Sequence, residues 1–380
     1  MKKFFLSIYF IASVIFISAQ ANQDWYLLAG TYTAGKSEGI YVYKFNATTG
    51  ENKLISTAKA SNPSFLTVSP NEKFVYAVNE VADSARFIVT GHVAAFSFDK
   101  KSGTLSFINK QESGGKHPCY VSIDKSGKWI FAGNYSSGSL AVLPVHADGS
   151  LGAATQTIQH AGSSVVSNRQ EGPHVHSTNL SKDNKTLYVP DLGIDKTMIY
   201  KFDNKSGKLS EAAMPFVLSE PGAGPRHFDI HPNGKFAYLI EELSGTVNVL
   251  KIYKDGSLES IQGYSALPRD YNGPVGSADI HVSPDGKFLY ASNRGESNTI
   301  GIMKINPQSG MLSWVGYQST MGKTPRNFNF DPSGNFLLVA NQNSDEIVIF
   351  KRDKKTGLLT DTGKRISIPN PVCIKWISSK

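Results

Sequence analysis

The sequence predicts an all-β fold, a seven-bladed β-propeller whose ring is closed by the C-terminal strand completing the first blade. Three observations carry this. A strand-turn-strand motif recurs six times at a spacing near fifty residues, an alternating hydrophobic strand follows every copy, and amphipathic helical periodicity is essentially absent.

The motif is a short strand, a turn of the type Ser/Asp/His-Pro-x-Gly-Lys, and a second strand ending in Asn or an acid. In chain order it reads SPNEKFVYAVNE from Ser69, DKSGKWIFAGNY from Asp124, SKDNKTLYVPDL from Ser181, HPNGKFAYLIEE from His231, SPDGKFLYASNR from Ser283 and DPSGNFLLVANQ from Asp331. Its terminal residues Asn79, Asn134, Asp191, Glu241, Asn293 and Asn341 are separated by 55, 57, 50, 52 and 48 residues, a period that marks a repeat architecture. The strands that follow, such as VAAFSF from Val93 and TIGIMKI from Thr299, alternate with period two. Polar hairpins come next, as at Asp99 to Leu105 and Asp203 to Leu209, where Gly supplies the positive φ of a tight turn. A seventh unit is split. Trp25 onward contributes WYLLAGTYT, IYVYKF and NKLIST without an innermost strand, and the lone strand NPVCIKWIS from Asn370 is expected to supply it and remove two exposed edges.

Ahead of the repeats stands a secretory leader: Lys2 and Lys3, an apolar run from Phe4 to Ile17, then Ser18, Ala19, Gln20 and Ala21. Residues 1–21 are read as a signal peptide and 22–380 as one propeller domain. The run is shorter than the ~20 residues of a membrane span, so an exported, periplasmic or secreted soluble protein is expected, with no stable membrane insertion after cleavage. Export would permit one disulfide between Cys119 and Cys373, the two cysteines of the chain. The formal charge of +8 is spread among acidic residues with no basic tract, which excludes a nucleic-acid partner.

Positions equivalent by register do the same structural job, so the odd residues among them ask for another explanation. Five residues before each turn stand Ser64, Cys119, His176, Arg226, Ala278 and Arg326. Seven residues after the turn's Lys or its equivalent stand Glu80, Tyr135, Leu192, Glu242, Arg294 and Gln342, with Tyr32 as counterpart in the split blade. The start of one strand meets the end of its antiparallel neighbour at one blade edge, so both sets are expected to ring the same mouth of the channel. His174 lies two residues before His176, and His227 follows Arg226. An excess of Arg226, Arg294 and Arg326 over Glu80 and Glu242 favours an anionic guest such as a carboxylate or phosphate. The competing reading is a polar, water-filled channel in which Glu242 pairs structurally with Arg226 or Arg294.

Pro173-His174-Val175-His176 has no third ligand at metal-site spacing, so no metal is expected. No phosphate-binding loop, dinucleotide fingerprint or nucleophile elbow is present, and no cofactor is expected. Cys119 lies in a neutral Pro-Cys-Tyr stretch and reads as a buried, inert thiol.

GPHVHS from Gly172, GAGPRHFDIHPNGKFAYLIEEL from Gly222, SADIHVSPDGKFLYASNRGE from Ser277 and GKTPRNFNFDPSGNFLLVANQ from Gly322 resemble the lactonase family of seven-bladed propellers. That family includes the bacterial 6-phosphogluconolactonases of propeller type and the fungal carboxy-cis,cis-muconate cyclase, and the resemblance covers essentially the whole mature chain. It implies His176, Arg226, Glu242 and Arg294 as the catalytic set. One departure is Glu241-Glu242-Leu243, where the family usually has Asn-Glu-Leu.

Hydrolysis of a sugar lactone needs a base for water, donors for the oxyanion and an anchor for the remaining ring. His176 or Glu242 is the expected base, Arg226 and Arg294 the clamp, and Arg326 with His227 the outer binders, with His174, Glu80, Tyr135 and Gln342 as further substrate contacts. The expected partner is a small sugar lactone, anionic in character. A muconate-type cycloisomerase and a non-catalytic binding propeller are the alternatives.

Overall fold

A computed structural model describes residues 24–81 and 90–380. The expected signal peptide lies outside the described residues. Seven four-stranded antiparallel sheets form the ring. The first blade takes Asp24–Thr31, Gly39–Asn46 and Asn52–Lys59 from the N-terminal part, and Pro371–Ser378 as its innermost strand. That strand pairs antiparallel with the first, from Trp25 opposite Ser378 to Gly30 opposite Cys373, so the ring closes as expected. The remaining blades begin with the innermost strands Leu66–Val68, Pro118–Ile123, Asn179–Leu180, Pro225–Ile230, Ser277–Val282 and Pro325–Phe330. Helical structure includes the short 3₁₀ turns Leu192–Ile194 and Gln342–Ser344.

The core is a set of layers between blades rather than one central mass. Phe236, Tyr238 and Ile240 of blade five pack on Ile280 and Leu289 of blade six, and Leu27 and Phe45 of blade one pack on Phe336 and Ile347 of blade seven. Period-two alternation makes this possible, because both faces of each sheet meet a neighbour. Adjacent blades are also stapled by tyrosines of the second strands. Tyr76, Tyr188, Tyr238 and Tyr290 donate to the carbonyls of Gly149, Gly256, Gly310 and Gly357 in the outer hairpin of the next blade, at 2.6–3.1 Å. Each such bond is worth about 1 kcal/mol. Gly149 has φ +84°, and a Cβ there would lie 2.2 Å from the Phe74 ring, so both the turn and the packing demand glycine.

A local distortion of the innermost strands sets up the channel mouth. Pairing with the second strand shifts register between Pro118 and Tyr120, between Pro225 and His227, and between Pro325 and Asn327. The residue inside each irregularity is Cys119, Arg226 or Arg326. A bulge next to a functional site re-aims a side chain, and proline is tolerated there because it has no N–H to lose from the ladder.

Candidate active site

Tyr32, Glu80, Cys119, Tyr135, Arg169, His176, Glu242, Arg294 and Arg326 line one cavity of about 400 Å³ at the axis. Members of both rings of register positions, Cys119, His176 and Arg326 of the first and Tyr32, Glu80, Tyr135, Glu242 and Arg294 of the second, therefore share a single mouth. Glu242, only 5% exposed, is its hub. Its Oε2 accepts from Arg226 Nε at 2.8 Å and lies 3.1 Å from Arg294, while Oε1 accepts from Arg169 at 2.6 Å. Burial alone would raise its pKa, but Arg294, Arg226, His176 and Arg169 outweigh that and hold the carboxyl well below the usual range. Burial draws Arg294 down to about 10, which leaves it cationic near neutrality.

His176 has Nδ1 at 3.7 Å from Cys119 Sγ and Nε2 at 3.9 Å from Glu242. Burial, with Arg226 and His227 beside it, lowers its pKa well below that of a free imidazole, so the ring is neutral near pH 7. Burial likewise pushes the Cys119 thiol up, consistent with an inert side chain, and both Cys119 and Cys373 are free thiols. The permitted disulfide is therefore not formed.

Glu80 sits on the opposite side of the charge balance. Its Oε2 accepts from Tyr32 Oη at 2.8 Å and from Ser64 Oγ, both neutral donors. Arg326 stacks on the Tyr32 ring, 5.4 Å from its centroid, and its guanidinium donates to no acceptor among the described residues.

Four expected contacts do not reach the cavity wall. Arg226 is 1% exposed and lies beneath it, with its guanidinium divided between Glu242 and the Ala278 carbonyl. That corrects its expected direct clamping role, because a guanidinium spent on buried acceptors positions Glu242 instead. His227, expected as an outer binder, turns deeper into the channel, where Nδ1 pairs with Asp279 at 2.7 Å. Asp279 also takes His281 at 3.0 Å and Asn327, stitching blades five, six and seven together. His174 stacks on Tyr135 at 4.5 Å and lies 3.3 Å from Glu171, a second layer behind the wall. Gln342 enters the 3₁₀ turn, and its backbone N–H donates to Thr324.

Sequence reasoning missed Arg169. It comes from the long segment between Gln159, the end of blade three, and Asn179, so it occupies no register position. Two acids of blade four tie that segment down. Asp195 accepts from Ser164 Oγ, Gln170 Nε2, Gly222 N and Gly224 N, and Asp191 accepts from His160 and the His174 N–H. The unusual length of this connection was the available signal.

A closed propeller with a cation-rich axial cup defines the class, and the chain belongs to the lactonase family of seven-bladed β-propellers, whose model matches residues 26–376. It is 42% identical to the 6-phosphogluconolactonase of Formosa agariphila, covering 88% of this chain and 94% of the relative. It is 39% identical to the 6-phosphogluconolactonase of Bacillus subtilis, covering 92% and 97%. The solved structure of the periplasmic gluconolactonase of Pseudomonas aeruginosa superposes with a TM-score of 0.90 at 38% identity, covering 94% of this chain and all of that one.

Proposed function

We propose that the protein hydrolyses a sugar lactone, 6-phosphogluconolactone or a related aldonolactone, to the aldonic acid in the axial cup. The observation that carries this reading is the cup itself: arginines gathered around a buried carboxylate, with a neutral imidazole and open hydrogen-bonding capacity, in a chain of the lactonase family. Arg294 faces the cavity and is suited to hold the oxyanion that forms when water adds to the carbonyl. Glu242 and Arg226 are positioning residues that fix Arg294 and Arg169. Arg326, with no acceptor among the described residues, is suited to an anionic group of the substrate, and Tyr135 offers a flat wall.

Neither expected base is well placed to take the proton. Glu242 shares its charge among three guanidiniums, and the proton affinity of His176 is depressed by burial. The leader supports export, as does the likeness to a periplasmic gluconolactonase. N-terminal sequencing of the protein from a periplasmic fraction, beginning at Asn22, checks it.

The test of function is a pH-stat assay of purified mature protein over 6-phosphogluconolactone, gluconolactone and other aldonolactones, with spontaneous hydrolysis subtracted. Arg226→Ala and Glu242→Gln should each lower turnover ~10²-fold or more. Near wild-type turnover in both sinks the site assignment.

A further inference from the structure

We propose that Glu80 is the general base of the hydrolysis, accepting a proton from the attacking water at Oε1; this rests on the lactonase reading above. Among the described residues two carboxylates, Glu80 and Glu242, face the cavity, and one of them has capacity to spare. Both oxygens of Glu242 are taken by arginines. Glu80 instead receives two hydroxyls on one oxygen, and among the described residues nothing donates to the other. Hydroxyl donors fix the rotamer without neutralising the charge, which leaves a directed, basic oxygen in the pocket.

The backbone is held as firmly. Glu80 N donates to the Asn62 carbonyl at 3.1 Å, Asn62 Nδ2 returns to the Glu80 carbonyl, and Asn62 is itself tied to Thr33. Among the described residues, the charged or titratable groups around Glu80 include Tyr32, Arg326 and Cys119, and of these three Arg326 is the cation. The groups with open capacity thus have opposite sign: a carboxylate for the water and a guanidinium for an oxyanion or acidic group.

In the reaction the water oxygen bonds to the lactone carbonyl carbon while its proton passes to Glu80 Oε1. The carbonyl π pair moves to oxygen, where Arg294 meets it. Collapse restores the carbonyl and breaks the bond to the ring oxygen, which takes the proton back from Glu80. Lactone and water give the aldonic acid, and the carboxylate is regenerated.

The experiment compares wild type with Glu80→Gln, which keeps the acceptor for Tyr32 and Ser64 but cannot take the proton. Expected are a fall in kcat of ~10²-fold or more and a KM changed by less than about threefold. Formate added to Glu80→Ala should restore at least about a tenth of the lost rate. Ser64→Ala, the milder variant if either fails to fold, should lower kcat ~10-fold with KM changed by less than about threefold. A kcat within threefold of wild type in Glu80→Gln, or a change in KM alone, overturns the assignment while leaving the lactonase intact. Absence of any lactone turnover in wild type overturns both.

Discussion

Glu80 and Glu242 occupy the same register position in blades two and five and look into the same cavity, yet their surroundings make them different groups. Glu242 is bound by Arg169, Arg226 and Arg294 and is nearly sealed, whereas Glu80 is held by two hydroxyls and, among the described residues, keeps one oxygen open. The propeller supplies a position, and the neighbouring blades supply its chemistry. A carboxylate saturated by guanidiniums organises cations, while one held by neutral donors can still accept a proton.

The sharpest way to break this contrast is Glu242→Gln. Arg226 would be left buried without its counter-charge, so a loss of about 3–5 kcal/mol in urea unfolding is expected along with the loss of turnover. An unchanged unfolding midpoint would show that Glu242 is not the hub.

Its sequence neighbour offers a second test. Asn79, Asn134, Asn293 and Asn341 donate from this place in their blades to a backbone carbonyl preceding the innermost strand. Glu241 has no amide N–H to offer there; its Oε2 instead accepts from Ser244 Oγ at 3.3 Å, and burial raises its pKa to about 7. The sign follows from linkage. Below pH 4.5 both folded and unfolded states hold the proton, and as pH rises from 4.5 to about 7 the unfolded chain releases it first, so stability falls. Glu241→Gln should therefore be close to neutral at pH 5 and stabilising by up to about 3 kcal/mol at pH 8, as read by thermal unfolding at both values.

Arg326→Met sharpens the contrast on the open side. Losing a charge-assisted bond of about 1.5–3 kcal/mol should raise KM for 6-phosphogluconolactone roughly 10- to 150-fold, and that for gluconolactone far less. Equal effects on both would mean that Arg326 serves the common lactone ring. The smallest effect is expected for Arg169→Met. Its side chain is 37% exposed, so its pair with Glu242 should contribute about 0.2–1 kcal/mol and KM should move less than about fivefold, measured by steady-state kinetics.

Much of the cup was legible because it follows the repeat. Cys119, Arg226 and Arg326 each follow a proline at the start of an innermost strand, and Tyr135, Glu242 and Arg294 each come directly after the last residue of a second strand. His227 and Gln342 share that neighbourhood in sequence but not in space. His227 is the residue after a bulge, so it faces Asp279 rather than the mouth, and Gln342 is turned by a 3₁₀ segment. Arg169 escaped because a long connection has no period to place it.

Blade number, ring closure and the identity of the axial ring were determined by the sequence, because strand alternation and turn chemistry are local and repeat along the chain. Which carboxylate is saturated, which arginine finds no acceptor among the described residues, and whether a side chain reaches the cavity were decided only by tertiary structure. Those properties depend on distances between blades remote in sequence and on single-residue bulges that rotate a side chain from one face to another.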